Sequence, residues 1–346
     1  MTTDTPHSSE QPYDAVLHMI VGCWVSQLVR TAATLDLAER LDKEPLGHEE
    51  LARATGCSPD STFRFLRTCA SFGLVRHTDD GRFAATERLR VLRGDAPDSL
   101  KSYALTVTAD WQWRALTHAT DAVREGTSPI AEVLGSTIFE RFREHPEEGA
   151  LFSAAMADLS RPVIEQAVPH IDASGAGVAV DIGGADGTFV RALLRANPHL
   201  RGVLLDLPHS MEGARARAEE QGLAERLQAV PGDFFRHIPG GDLFLLKFIL
   251  HDWSDEQCVE ILRRAREAMN PGARVVVVDM VLGDIRPGDP AALMDFAMLV
   301  LLPGGRERSL AEFDALFAAA GLTRARVTPL QAPYAVIEAV RSQESD

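Results

Sequence analysis

At 346 residues the chain is long enough for two domains with complete cores, and a composition of 45% hydrophobic and 25% charged residues excludes a disordered polymer. Thirty-five basic against fifty acidic residues leave a net charge of −15, which repels a phosphate backbone and argues against a general nucleic-acid role. The four cysteines, Cys23, Cys57, Cys69 and Cys258, show no C-x-x-C spacing, so neither a zinc cluster nor a disulfide framework is expected, and a reducing compartment, the cytoplasm, is.

Residues 1–11 read as a loose polar tail without the basic start and apolar core of a secretory signal. Over residues 13–41, Val16, Ile20, Val25, Leu28, Val29, Ala32, Leu35, Leu37 and Leu41 recur at helical spacing. They cover too much of the helix circumference for a single core, so a second copy of the chain is the expected cover. The longest apolar run, 15–29, is interrupted by His18 and Gln27 and is too short to span a bilayer, so no membrane partner is expected.

Residues 48–93 read as a helix-turn-helix with a wing: a helix at 49–55, a turn at Gly56-Cys-Ser58, a helix at 60–72 and a hairpin around Asp79-Asp-Gly81. Such a module can read DNA, which keeps a ligand-sensing regulator open as a rival function. The segment carries eight basic against six acidic residues, and its second helix offers only Arg64 and Arg67, so packing between two copies is the favoured use. Residues 99–171 read as helical and carry Trp111, Trp113, Phe139, Phe142, Phe152 and Met156. A stripe of this kind is core or, at a junction between domains, a wall for a flat aromatic ligand.

From Gly175 the pattern changes to short apolar runs alternating with helices. The runs at 178–182, 202–206, 227–230, 243–247, 274–278, 324–327 and 334–340 predict a doubly wound α/β sheet of seven strands. Ser254-Asp-Glu-Gln257 is a capping box for a helix through 269, stopped by Pro271-Gly272. Every polar candidate follows a strand's carboxyl end, where ligands bind in such sheets. Gly183, Gly184 and Gly187 let the backbone approach a ligand after the first strand, and Asp206 at the tip of the second can accept both hydroxyls of a ribose. Ala185 takes the place of the second glycine of a dinucleotide fingerprint, and Asp186 sits badly beside a pyrophosphate, which disfavours a nicotinamide oxidoreductase. A cationic adenosine cofactor without phosphate fits, and S-adenosylmethionine (SAM) is that molecule. Asp233 can accept from an adenine amine and Phe234 can stack on the ring, although each also reads as an ordinary turn or core residue. Lys247 ends the fourth strand, and one turn later comes His251, with a pKa suited to a general base.

The set Asp181-Ile-Gly-Gly-x-x-Gly187, Asp206-Leu-Pro208, Gly232-Asp-Phe234, Lys247-x-x-Leu-His-Asp-Trp-Ser-Asp255 and Gly304-Gly-Arg-Glu-Arg308 resembles the SAM-dependent O-methyltransferases of the caffeate and acetylserotonin type, including bacterial enzymes that tailor aromatic polyketides. The resemblance covers nearly the whole chain. It implies a winged-helix dimerisation domain at 1–100, a helical linker at 101–172 that contributes to the substrate pocket, and a Rossmann-like methyltransferase domain at 173–346. It implies SAM contacts at Ser160, Gly183, Asp206, Gly232, Asp233, Phe234 and Lys247. His251 matches the catalytic base, with Asp279 and Glu307 as its acidic partners. Asp279 is one methylene shorter than the glutamate of plant members, which leaves its reach open.

Phe152, Met156 and Met298 match positions that clamp the acceptor ring, Leu302 replaces a polar asparagine of some plant members, and Trp113 and Asp252 complete the expected substrate set. The implied reaction is metal-free methylation of a phenol, which His251 deprotonates, with S-adenosylhomocysteine as product and a homodimer as the assembly. Some relatives keep SAM but have diverted to hydroxylation, a rival that the presence of His251 disfavours.

Overall fold

The computed structural model describes residues 11–208 and 211–343; of Phe139, which lies in the aromatic stripe, only the backbone is described. The chain divides into two compact units, 1–110 with 150–158, and 111–149 with 159–346. Residues 101–172 are thus shared between the two units.

In the amino-terminal unit the long helix Pro12–Thr34 ends where Asp36 turns to φ 50°, and Leu37–Arg40 continues as a separate short helix. Helices His48–Thr55 and Pro59–Ser71 flank Gly56, whose φ of 70° is the left-handed conformation that glycine adopts at least cost. Strands β1 (Val75–His77) and β2 (Phe83–Ala85) then pair antiparallel as the wing. Leu37, Leu51, Leu66, Cys69, Val75, Phe83 and Leu89 form the core of this unit. Burying each of the large side chains contributes about 1.5 to 3 kcal/mol before chain entropy is counted.

One expectation needs correction here. Helix Pro12–Thr34, with 23 residues and a mean hydropathy of 1.3, is long and apolar enough by length and composition to cross a membrane. His18 and Gln27 interrupt the apolar run without lowering the mean far enough to disqualify it. Tyr13, Met19 and Trp24 are each more than 70% exposed, so this helix carries apolar surface that its own unit leaves uncovered.

The larger unit is built on a sheet with strands β3 (Val178–Ile182), β4 (Arg201–Asp206), β5 (Leu227–Pro231), β6 (Gly241–Lys247), β7 (Met269–Leu282), β8 (Arg308–Ser309), β9 (Leu322–Pro329) and β10 (Tyr334–Arg341). The spatial order is β5-β4-β3-β6-β7-β10-β9, with β10 antiparallel to both neighbours and β3 to β7 parallel. The order reverses between β3 and β6, so a crevice opens at the carboxyl ends of those strands. β8 adds an eighth strand that the sequence reading missed, pairing Val281 with Arg308 and Leu282 with Ser309.

One face of the sheet is sealed by Ile261, Leu262, Phe313 and Phe317 over Val180, Phe244, Val275 and Ile337. The other is sealed by Phe189, Val190, Leu193 and Leu194 over Ala179, Leu204, Leu243 and Val276. Both faces are covered, which is why the central strands read as nearly unbroken apolar runs. The capping box at Ser254 forms, with its hydroxyl accepting from the Gln257 N–H, but the helix ends at Ala268 and Met269 already belongs to β7.

Candidate active site

The glycine turn after β3 is built by exclusion. Gly183 has φ 67°, its N–H donates to the Leu205 carbonyl at 2.8 Å, and a Cβ there would stand 2.6 Å from Ile249 Cδ1. At Gly184 a Cβ would come within 2.4 Å of the Asp181 carboxyl and 2.6 Å of Leu204. Backbone is therefore the only thing that fits, and Ala185, held at φ 49°, continues the sharp bend.

Asp206 closes this turn. Its Oδ2 accepts from Ala185 N–H at 2.7 Å and its Oδ1 from Leu207 N–H at 2.6 Å. Both oxygens thus stand at the tip of β4, beside the glycine turn. Gly232 donates its N–H to the Asp206 carbonyl at 2.9 Å, and a Cβ there would lie 2.8 Å from Leu205. Asp233 next to it is half-exposed, accepts from Phe235 N–H at 2.9 Å and faces Arg236 at 3.6 Å. Phe234 sits edge-on to Trp253, centroids 5.9 Å apart. Asp186, the acid that disfavoured a pyrophosphate, is engaged by residues of its own unit. It accepts from the Thr188 N–H and hydroxyl and pairs with Arg191 and Arg217. Burial opposes its charge, yet those partners hold its carboxyl below the usual range.

Lys247, at the end of β6, is half-buried and donates to Ser160 Oγ at 2.6 Å, which joins two of the expected residues. Burial lowers its pKa against the pull of Asp181 and Asp279. Its ammonium also stands 4.4 Å from the centre of the Phe248 ring. Phe248 takes φ 55°, a costly conformation for a bulky residue, and its ring lies 5.8 Å from that of His251.

His251 is on the short helical turn Leu250–Asp252. Its Nδ1 is 2.9 Å from Glu307 Oε1 and 3.6 Å from Asp279 Oδ1, and its Nε2 is 3.5 Å from Asp252 Oδ1. The shorter side chain of Asp279 thus stops at ion-pair distance, and Glu307 makes the hydrogen bond. Asp279 and Glu307 are fully buried, while the imidazole is 13% exposed. Burial disfavours the imidazolium, but Asp279, Asp252 and Glu307 outweigh it and raise the pKa of His251 to about 10. Asp279 is raised to about 7, by burial first and by the Glu307 charge, with His251 opposing. Burial also raises Asp252.

The ligating atoms of His251, Asp279 and Glu307 lie within 4.8 Å of one another, which corrects the expectation that no cluster of metal-ligand type would be found. No short-range spacing announces it, because the three come from the turn Leu250–Asp252, the interior of β7 and the residue before β8. Asp279 Oδ2 and Glu307 Oε2 are buried without a hydrogen-bond donor, so the cluster carries excess negative charge that a proton or a cation would relieve.

Of the expected substrate residues, Met298 and Leu302 are half-buried at the end of helix Pro290–Leu301, and Leu302 N–H donates to Met298 O at 2.9 Å. Gly305 leans on both this helix end and the His251 turn: a Cβ there would be 2.7 Å from Leu302 Cβ and 3.1 Å from the His251 carbonyl. Trp113 is half-buried on Asp110–Leu116, beside a buried Trp111 that stacks edge-on with Phe142. Phe152 and Met156 are half-buried on helix Pro146–Ala167, within the stretch that belongs to the amino-terminal unit. Two residues with no assigned part also stand in this site. Asp181, 1% exposed, accepts from Val190 N–H at 3.2 Å and is pushed up to about 7 by burial. Asp295 accepts the Glu307 N–H at 2.9 Å.

Residues 113–323 match the model of the O-methyltransferase domain, and residues 17–95 match the O-methyltransferase dimerisation domain. The chain belongs to the O-methyltransferase family. The phenazine O-methyltransferase PhzM of Lysobacter antibioticus is 35% identical over 97% of this chain and 99% of its own length. The mitomycin biosynthesis 6-O-methyltransferase of Streptomyces lavendulae is 37% identical over 95% of each. Among solved structures, the O-methyltransferase NcsB1 from neocarzinostatin biosynthesis, in complex with SAM and 2-hydroxy-5-methyl naphthoic acid, superposes with a TM-score of 0.78 at 30% identity, covering 92% of this chain and 96% of that one. The match to the dimerisation domain begins within helix Pro12–Thr34 and takes in most of it.

Proposed function

We propose that this O-methyltransferase moves a methyl group from SAM to a phenolic hydroxyl of an aromatic natural product, with His251 as the proton acceptor. The observation that carries the reading is the imidazole whose Nδ1 meets two buried carboxylates, Glu307 at 2.9 Å and Asp279 at 3.6 Å, while the ring keeps 13% exposure. The named chemistry of the relatives, phenazine and mitomycin tailoring, supports an aromatic acceptor. The naphthoic acid bound to NcsB1 supports a hydroxylated bicyclic ring.

The residues present fit SAM. The turn at Gly183 leaves bare backbone where a Cβ would collide, and Asp206, at the tip of β4 and tied to that turn, is the carboxylate to which a ribose diol would donate. Gly232, Asp233 and Phe234 follow the adjacent strand, and Lys247 with Ser160 completes the set. When bound, SAM supplies a methyl group already activated by its sulfonium. What remains for the chain is to hold the acceptor and take its proton. A phenol with a pKa near 10 is a weak nucleophile at neutral pH, so a base must share its proton during attack.

Glu307 accepts the Nδ1 hydrogen, which fixes the tautomer and leaves Nε2 to receive the phenol proton; the tautomer is assigned from this contact. Asp279 and Glu307 then stabilise the imidazolium in a site of low polarity. The same acids hold a proton on His251 up to about 10, so the working form is the cluster after one proton has left it. Activity should therefore rise with pH above the ordinary histidine value. Within the larger unit, Met298 and Leu302, with Trp113 and Asp252, are the proposed acceptor-binding residues.

We also propose a homodimer through the exposed face of Pro12–Thr34, which light scattering of the intact chain and of Ile20→Asp would show as a dimer and a monomer. Incubation with methyl-labelled SAM and a panel of phenols, naphthoates and hydroxyphenazines tests the function. A labelled ether supports it, whereas SAM binding without transfer to any member would count against the phenol reading.

A further inference from the structure

We infer that Arg308 is a positioning residue that holds the turn carrying His251 within reach of its two acids. The inference rests on the reading of His251 as the base. Arg308 is 1% exposed and is among the largest fully buried side chains of the molecule. A guanidinium removed from water must be fully paired, and this one is paired with the histidine turn itself. Nη1 donates to the Leu250 carbonyl at 2.6 Å and Nη2 to the Trp253 carbonyl at 2.8 Å, the two carbonyls that bracket His251. Nε and Nη2 both reach Asp255 Oδ1, at 3.0 and 2.8 Å.

The two preceding residues grip the same turn: Arg306 N–H donates to the His251 carbonyl at 2.8 Å, and Glu307 bonds the ring. Arg308 also pairs in β8 with Val281, two residues beyond Asp279. One short segment therefore sets the distance from the imidazole to both acids. The ring is faced by Asp252, Asp279 and Glu307, so a small drift of the turn alters which of them it meets. A lysine cannot reproduce the fork, because its single ammonium cannot span two carbonyls and a carboxylate in one plane.

Arg308→Lys, alone and combined with His251→Ala, provides the test. An ångström-scale shift of the turn should lower kcat by about 10- to 100-fold. SAM affinity should stay within about twofold, because the cofactor turn is untouched. The acid limb of kcat/KM should move to lower pH as the carboxylates lose their hold on the ring, and the change should add nothing in the His251→Ala background. Wild-type kcat with an unmoved limb, or an equal further loss in His251→Ala, overturns the inference. If Arg308→Lys does not fold, Asp255→Asn removes the charged acceptor of the guanidinium at an exposed helix start. It should produce the same changes at smaller size, and an unchanged pH profile there also overturns the inference. Wild-type turnover in His251→Ala would defeat the base reading and this inference with it. An inactive His251→Ala beside an unaffected Arg308→Lys defeats this inference alone.

Discussion

The two ends of the crevice are built by different means. At the glycine turn the framework is backbone: a bend that tolerates no Cβ at Gly183 and Gly184, tied by the Asp206 carboxylate through the N–H groups of Ala185 and Leu207. At the histidine, capacity comes from side chains brought from three places, with Asp279 and Glu307 buried against one ring. On the proposed reading the first end would hold SAM through contacts made equally in ground and transition states. The second stores negative charge in a dry place and becomes useful only when a proton arrives. Substitutions at the two ends should therefore separate binding from turnover.

The sharpest break is His251→Ala, which should lower kcat by roughly 10² to 10⁴ while SAM affinity stays nearly intact. Wild-type turnover would remove His251 from the base role. Asp206→Ala should do the reverse. Losing hydrogen bonds to a charged group, worth about 1.5 to 3 kcal/mol, should weaken SAM binding by about 10- to 100-fold, read by calorimetry, with a smaller change in kcat at saturation. Unaltered SAM affinity would remove Asp206 from the ribose role.

A subtler probe is Asp279→Asn. Neutralising the carboxylate that most favours the imidazolium must lower the pKa of His251 from about 10, so the limb below which kcat/KM falls should shift to lower pH. A limb that stays in place would mean that the acid does not act on the histidine. The smallest effect is expected from a chelator. If the cluster of His251, Asp279 and Glu307 carries a proton rather than a metal, ethylenediaminetetraacetate should change turnover by less than about twofold. A large loss restored by a divalent ion would reassign the cluster.

How much of this was legible in the sequence follows the same division. The glycine turn and Asp206 belong to one local unit, so their spacing alone indicated the crevice, and the strand order placed it there. Asp186 pointed away from a pyrophosphate, but its partners, Arg191 and Arg217, are set by tertiary structure and were not legible. The acids around His251 were reached through family resemblance, since nothing periodic links positions 251, 279 and 307. Arg308 ends a motif that the resemblance matched, but its part was not legible, because its burial depends on carbonyls more than fifty residues away in the chain. Two-residue β8 lacks any pattern to detect. The apolar girth of Pro12–Thr34 was visible, but a run broken by two polar residues hid its full length.

The most direct test of the base reading is single-turnover methyl transfer by wild type and His251→Ala to two phenols of similar shape, one ordinary and one acidified by a ring nitro group so that it ionises below neutrality. If His251 serves to take the proton, the variant should be severely impaired with the ordinary phenol and recover most of its rate with the acidic one, which needs no base. An equal deficit with both phenols would contradict the account and assign His251 to holding the substrate instead.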